Sequence, residues 1–278
     1  MTPTHPAVTY ATYLRVPELL DLQHPRTGED GRVAEHDELL FITIHQVYEL
    51  WFQQLLHELR GDAREPGAGG VQGALAAAEP YAVLGLLGRV RTILKTLVAQ
   101  VDVLETMTPV EFSSFRSRLE SASGFQSAQF RELEAVLGRR DDRLVPSGMQ
   151  GDAAWDRVSA AAARPSVWSS YAAFLAARGH AVPDEVLAAD PRETVPSSEA
   201  MVEVVVSVYG SDDAATLVAE RLLDVDEGLQ EWRYRHVKMV ERTIGAKLGT
   251  GGSSGAAYLA STLFRPVFPD LWAARARL

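Results

Sequence analysis

The sequence predicts an all-α fold, a single-domain helical bundle with a pocket between its long helices. Three observations predict it. Apolar residues recur at three- and four-residue steps over stretches far longer than a β-strand. Period-two alternation is scarce. The periodic stretches are parted by breaks rich in Gly, Pro and Ser, none long enough to divide the 278 residues into separate units, and no internal repeat is evident.

The first long helix opens near Glu35-His36-Asp37-Glu38, where acidic side chains suit the positive end of the helix dipole. It is expected to reach about Leu59. Leu40, Ile44, Val47, Trp51, Leu55 and Leu59 share one face, and Phe41 and Tyr48 widen it. So broad an apolar surface is buried on most sides or covered by another subunit. Residues 61–73 are Gly-rich and polar and read as a loop. A second long helix follows from Pro80 to about Met107, striped by Leu87, Val90, Leu94, Leu97, Val101 and Leu104. Thr108-Pro109-Val110-Glu111 is a capping box with Pro at the first helical position. The short helix it starts places Phe112, Arg116 and Leu119 at i, i+4 and i+7 on one face.

Ser121-Ala122-Ser123-Gly124 breaks that helix, and another runs to Leu137, where Gly138 supplies the stop. Residues 139–165 are polar, hold Pro146, Gly148 and Gly151, and read as irregular. Helices return at about 167–178 and 200–209. The last long helix covers about 214–246, with Leu222, Val225, Leu229, Trp232, His236 and Val240 as its stripe. A Gly-rich loop, a short helix and the segment FRPVFPDLW follow.

Composition excludes several chemistries. There are 27 Lys and Arg against 37 Asp and Glu, a net charge of −10, and no Cys. The acidic balance argues against bulk nucleic-acid binding, which needs a basic surface. Without Cys there is no disulfide, no Cys-ligated zinc or iron–sulfur cluster, no thiolate haem ligand and no cysteine nucleophile. Any metal or cofactor is left to His, carboxylate or Tyr. Met1 to Tyr13 carry no Lys or Arg and no apolar core of signal-peptide length. Apolar runs such as 39–42 fall far below the roughly 18 residues of a membrane span. The expectation is a soluble, cytoplasmic protein with no nucleic-acid or membrane partner.

Four signals bear on chemistry. His236 lies on the apolar face of the last helix, within Trp232-Arg233-Tyr234-Arg235-His236-Val237-Lys238. It reads either as a core histidine meeting a backbone carbonyl or as an axial ligand to haem iron. Arg233, Arg235, Lys238 and Arg242 around it suit propionates, or pairing with Glu231 and Glu241. His45 is a lone imidazole on the most apolar helix, with Phe41 one turn before and Tyr48 and Glu49 one turn after. It fits a structural role or a distal position over a bound substrate. Its spacing to Glu49 is common by chance, HExxH is absent, and His57 lies about 120° around the helix.

The run 249–255 lacks the Lys of a Walker A loop and the third Gly of a dinucleotide fingerprint. Its Thr250, Ser253 and Ser254 hydroxyls belong to a plain connection or to a loop closing over carboxylate or ammonium groups. Arg116 is the last signal. Beside Phe112 and Leu119 it either snorkels to solvent or holds a carboxylate next to a hydrophobic side chain.

Together these motifs carry a resemblance. His36-Asp37-Glu38-Leu39-Leu40-Phe41-Ile42, followed by His45-Gln46-Val47-Tyr48-Glu49-Leu50-Trp51-Phe52, resembles the signature block of tryptophan 2,3-dioxygenases. So do Phe115-Arg116 with Ser123-Gly124-Phe125-Gln126-Ser127, and Trp232-Arg233-Tyr234-Arg235-His236. Gly249-Thr250-Gly251-Gly252-Ser253-Ser254-Gly255 completes the set, in order, and the likeness runs from Tyr10 to Phe268-Pro269-Asp270-Leu271.

The resemblance implies a b-type haem enzyme, usually a homotetramer, that opens the indole ring of L-tryptophan with O2 to give N-formylkynurenine in the kynurenine pathway. His236 would be the proximal iron ligand and His45 the distal catalytic histidine meeting the indole N–H. Arg116 would hold the substrate carboxylate and Thr250 the carboxylate–ammonium end. Phe41 and Leu119 would line the indole pocket, Phe112 would stand beside Arg116, and Ser123 would lie near the haem edge. Tyr10 and Tyr13, within the N-terminal segment 1–15, would reach a neighbouring subunit's site. Some bacterial members have Tyr where this chain has Phe112. The superfamily also resembles haem enzymes that insert one oxygen into tryptophan or a β-substituted tryptophan to give a 2-oxindole. A non-catalytic haem or tryptophan sensor would use the same pocket.

Overall fold

The computed structural model describes residues 7–28, 35–61, 69–140, 144, 151–245, 247–249 and 255–278, and among these the regular structure is helical throughout. Two short helices come first, α1 (Tyr10–Leu14) and α2 (Val16–Leu20), and neither buries a residue. They are followed by α3 (His36–Arg60), α4 (Gly70–Ala76), α5 (Pro80–Leu104), α6 (Pro109–Arg116) and α7 (Ala128–Leu137). Then come α8 (Ala153–Ala162), α9 (Val167–Ala177), α10 (Asp184–Leu187), α11 (Glu199–Ser211) and α12 (Asp213–Ile244). The chain closes with α13 (Ala256–Ala260) and α14 (Pro269–Ala274).

The centre of the bundle is α5 packed along α12, with α3 beside α5 and α7 beside α3. Every member of the expected α5 stripe, Leu87, Val90, Leu94, Leu97, Val101 and Leu104, is buried. Gly228 sets how closely α12 approaches: a Cβ there would sit 3.3 Å from the Leu94 Cβ. On α3 the burial shifts from the expected line. Ile44, Leu55 and Leu59 are joined by Phe52 and Leu56, while Leu40, Val47 and Trp51 are half-buried.

Buried carboxylates lock the periphery. Asp226 on α12 is fully buried and accepts from the Val267 and Phe268 amides (both 2.9 Å) and the Trp272 indole N–H (3.0 Å). These bonds hold the C-terminal segment against the central helix. Glu38 plays the same part at the other end. It accepts from the Arg26 amide (2.9 Å), the Thr27 amide (2.8 Å) and the Thr27 hydroxyl, and so anchors the chain leading into α3.

The capping box at Thr108 is formed from both sides, with Thr108 N–H on Glu111 (2.7 Å) and Glu111 N–H on Thr108 (3.3 Å). The helix it starts ends at Arg116, and a tighter turn covers Ser117–Leu119, so Leu119 is not on a continuous helical face with Phe112. Two stretches read as irregular contain helices. Within 61–73, α4 starts at Gly70, where a Cβ would run into the backbone of Arg60 and Gly61. Only glycine lets the chain double back so tightly, and Val71, Ala74 and Leu75 then fill the space beneath. Within 139–165, Asp152 caps α8 through the Ala154 amide (2.8 Å), and Trp155, Val158 and Ala161 are buried at three-residue steps. No described helix is long and apolar enough to cross a membrane.

Candidate functional site

A second, smaller apolar cluster lies at one end of the bundle. Ile44, Val101, Leu104, Met107, Phe112, Phe115 and Met239 form it, with Phe41 and Leu119 packed against them. Between this cluster and α7, α12 and α13 a cavity opens, lined by His45, Phe41, Phe112, Arg116, Leu119, Ser123, Trp232 and His236 among others. The structure thus brings together every candidate side chain within residues 41–123 and His236.

His236 reaches the cavity from the middle of α12. Its ring lies flat against Trp232, centroids 5.3 Å apart and planes 12° apart. Among the described residues nothing hydrogen-bonds to it. Burial, with a smaller contribution from nearby His45, pushes its pKa down to about 4. It is therefore neutral at pH 7, the form that binds a metal.

The carbonyl contact that sequence offered as one reading of His236 occurs at His45 instead. Its Nδ1 lies 2.7 Å from the Phe41 carbonyl oxygen, one turn back on α3. A carbonyl can only accept, so Nδ1 carries the proton and Nε2 keeps its lone pair. Burial lowers the pKa of this histidine too. The Phe41 ring lies 4.1 Å from the imidazole. Phe41, Phe112 and Phe115 then interlock with centroids 5.4–5.8 Å apart, which gives the cavity an aromatic wall.

Arg116 follows this wall at the end of α6, half-buried, and donates to the Leu248 carbonyl. That bond ties α6 to the chain leading into residues 250–254, and Gly249 and Gly255 both line the cavity. Thr250 lies outside the described residues. Ser123 lines the cavity as the cap of the short turn Gly124–Gln126, accepting from the Phe125 amide at 3.3 Å. Tyr10 and Tyr13 are not brought to this cavity. Both sit on α1, 79% and 75% exposed.

The cations near His236 are committed to carboxylates. Arg235 binds Asp102 and Glu105, Arg242 binds Glu105 (2.8 Å), and Lys238 binds Glu241 (2.8 Å). Only Lys238 uses one of the two partners expected from sequence. Arg233 is buried and donates to Glu134 at 2.6 Å.

Glu134 is the centre of a group that sequence reasoning missed. Arg131 (2.7 Å), Arg233 (2.6 Å) and Arg139 (3.6 Å) all converge on this one buried carboxylate. Arg131 also lies over the Phe125 ring at 4.9 Å, and Arg131, Glu134, Arg233 and Tyr258 line the cavity. Of these, Arg131 and Arg233 face the cavity with Glu134 between them, a cationic side suited to an anionic ligand group. The visible signal was an Arg131/Glu134 pair at i,i+3; Arg233 is 99 residues further on.

These residues fit a haem. Among the described residues no three His, Asp or Glu side chains converge to hold a bare metal ion. A single neutral imidazole without a hydrogen-bond partner, flat apolar walls and a cationic end instead suit a metal carried in a planar, apolar group with carboxylate tails.

A helical bundle with this site has the donor set that suits a haem-binding protein, and comparison with known proteins supplies the family. Residues 3–158 and 170–278 match the family model described as tryptophan 2,3-dioxygenase. The chain belongs to the tryptophan 2,3-dioxygenase family, a family of oxidoreductases. It is 56% identical over 274 residues to a tryptophan 2,3-dioxygenase of Anaeromyxobacter sp. (strain K), covering 98% of this chain and 97% of the relative. It is 51% identical to that of Herpetosiphon aurantiacus, covering 98% and 99% of the two chains. Against that of Nocardioides sp. the identity is 44%, over 98% and 95%.

Proposed function

We propose that the chain opens the indole ring of L-tryptophan at the C2–C3 bond with O2, placing both oxygen atoms in N-formylkynurenine, with haem b held by His236. Beyond family membership, one observation carries this reading: two neutral imidazoles, His236 and His45, line one aromatic-walled cavity with a guanidinium at its rim. When bound, the haem supplies the iron that activates O2.

The protein's own groups bind and orient. His236 offers iron a neutral nitrogen without first having to lose a proton. His45 has spent its N–H on Phe41, so its Nε2 can accept the indole N–H and fix which edge of the ring is presented. Phe41, Phe112 and Leu119 cover the indole and exclude water. Arg116 takes the substrate carboxylate, and Thr250 is assigned to its carboxylate–ammonium end. Ser123, with Arg131 and Tyr258, is assigned to the carboxylate edge of the haem. Phe112 has no hydroxyl, so Arg116 carries more of the recognition at that end. The enzyme works in the cytoplasm as a homotetramer, in which Tyr10 and Tyr13 of the exposed α1 complete a neighbouring copy's site.

Mass spectrometry of the product formed from L-tryptophan under labelled O2 tests the reaction. Formylkynurenine with both oxygens labelled, and no external reductant consumed, is the expected result. A singly labelled 2-oxindole, or tryptophan bound but never consumed, overturns it.

A further inference from the structure

We propose that Trp232 is a positioning residue for His236, its indole plane fixing the rotation of the imidazole and hence the direction of the lone pair offered to iron. The inference rests on the reading of His236 as the haem ligand. A histidine ring turns about a broad, shallow torsion, so its own helix does not set where its nitrogens point. Metal-binding histidines usually gain that orientation from a hydrogen bond to the second nitrogen. Among the described residues His236 has no such bond. What it has is Trp232, one helical turn earlier, stacked 12° from parallel at 5.3 Å.

Trp232 can serve as a reference plane only if it is itself held. Phe130 of α7 lies 4.9 Å from it, Phe52 of α3 meets it edge-on at 6.0 Å and 90°, and Tyr48 meets it at 6.2 Å and 64°. Tyr48 is fixed in turn by its hydroxyl, which donates to the Leu97 carbonyl at 2.9 Å. The indole N–H is buried and interacts with the Tyr48 hydroxyl, not with His236. A hydrogen bond is therefore not what the ring offers His236. Its flat surface is. Two helices, α3 and α7, thereby fix the orientation of a side chain on a third.

The test compares haem-loaded wild type with Trp232→Phe, Trp232→Leu and Phe130→Leu. Three readouts are taken: the iron–histidine stretching band of the ferrous form, the transfer of haem to a competing apoprotein, and helical circular dichroism. Trp232→Phe keeps a flat face and should keep one sharp band. Trp232→Leu keeps an apolar side chain but offers no plane. Its band should shift and broaden, and haem affinity should fall about 10- to 100-fold, the range for lost support of a metal ligand.

Phe130→Leu removes a support of Trp232 without touching His236 and should broaden the band in the same direction. It keeps the test decisive if Trp232→Leu does not fold. A wild-type band in Trp232→Leu, or in Phe130→Leu if Trp232→Leu fails to fold, overturns the inference. So does equal broadening in Trp232→Phe and Trp232→Leu. His236→Ala is the control: if it retains the wild-type iron–histidine band, the ligand reading fails and takes this inference with it.

Discussion

At the scale of single residues the two histidines do different work and should be separable. His236→Ala should lose stable haem while circular dichroism remains helical, and His45→Ala should keep the haem. The reverse pattern would exchange the assignments. Arg116→Ala removes a charge-assisted bond worth about 1.5–3 kcal/mol, so KM for tryptophan should rise roughly 10- to 150-fold. Indole compounds without a carboxylate should be little affected, and an unchanged KM would remove Arg116 from the site. In the haem-free protein burial also makes His236 pH-sensitive. Its folded pKa, about 4, lies below the ordinary 6.5, so below pH 6.5 the unfolded chain takes up the proton first. Stability should therefore fall as pH drops from 6.5 towards 4, and His236→Ala should flatten that slope in thermal melts.

Element-scale predictions concern how α12, which carries His236, is started and packed. Asp212 caps it through the Ala215 amide (3.1 Å) and is gripped by Arg178 at 2.6 and 2.8 Å. The Arg178 hydrogen bonds hold the Asp212 pKa well below the usual carboxylate range. Asp212→Ala should cost about 0.5–2 kcal/mol, the usual worth of a cap. Each kcal/mol lost should lower the melting midpoint by about 2–4 °C in a domain of this size class. At mid-helix, Gly228→Val would push against Leu94, whose Cβ lies only 3.3 Å from where a first carbon would sit. Overpacking of this kind costs about 1–3 kcal/mol. A melting midpoint unchanged from wild type would mean that α5 can yield there.

For the whole molecule the open question is assembly. Val8, Tyr10, Tyr13 and Leu20 are each at least 70% exposed, an apolar arm that one chain leaves uncovered. Deleting residues 1–15 should cut activity more than haem content, with a fall in the mass measured by sedimentation. A fully active deletion variant would refute a site shared between copies.

The sequence by itself determined what is local. The α5 stripe, the Thr108 capping box and the Gly138 stop were legible because three- and four-residue steps and cap chemistry depend only on near neighbours. The same locality hid α4 and α8, whose few apolar residues are outweighed by surrounding Gly and polar residues. The motifs also named His45, Arg116 and His236 as candidates, since a polar group on an apolar helical face is visible in the sequence alone. Only the tertiary structure decided what each one meets. It gave the backbone-carbonyl contact to His45, paired Arg235 with α5, and gathered Arg131, Arg139 and Arg233 around Glu134. Tautomer, pKa and ion pairing depend on atoms brought within a few ångströms, and here those atoms lie as far as 137 residues apart in the chain, a distance no periodic pattern records.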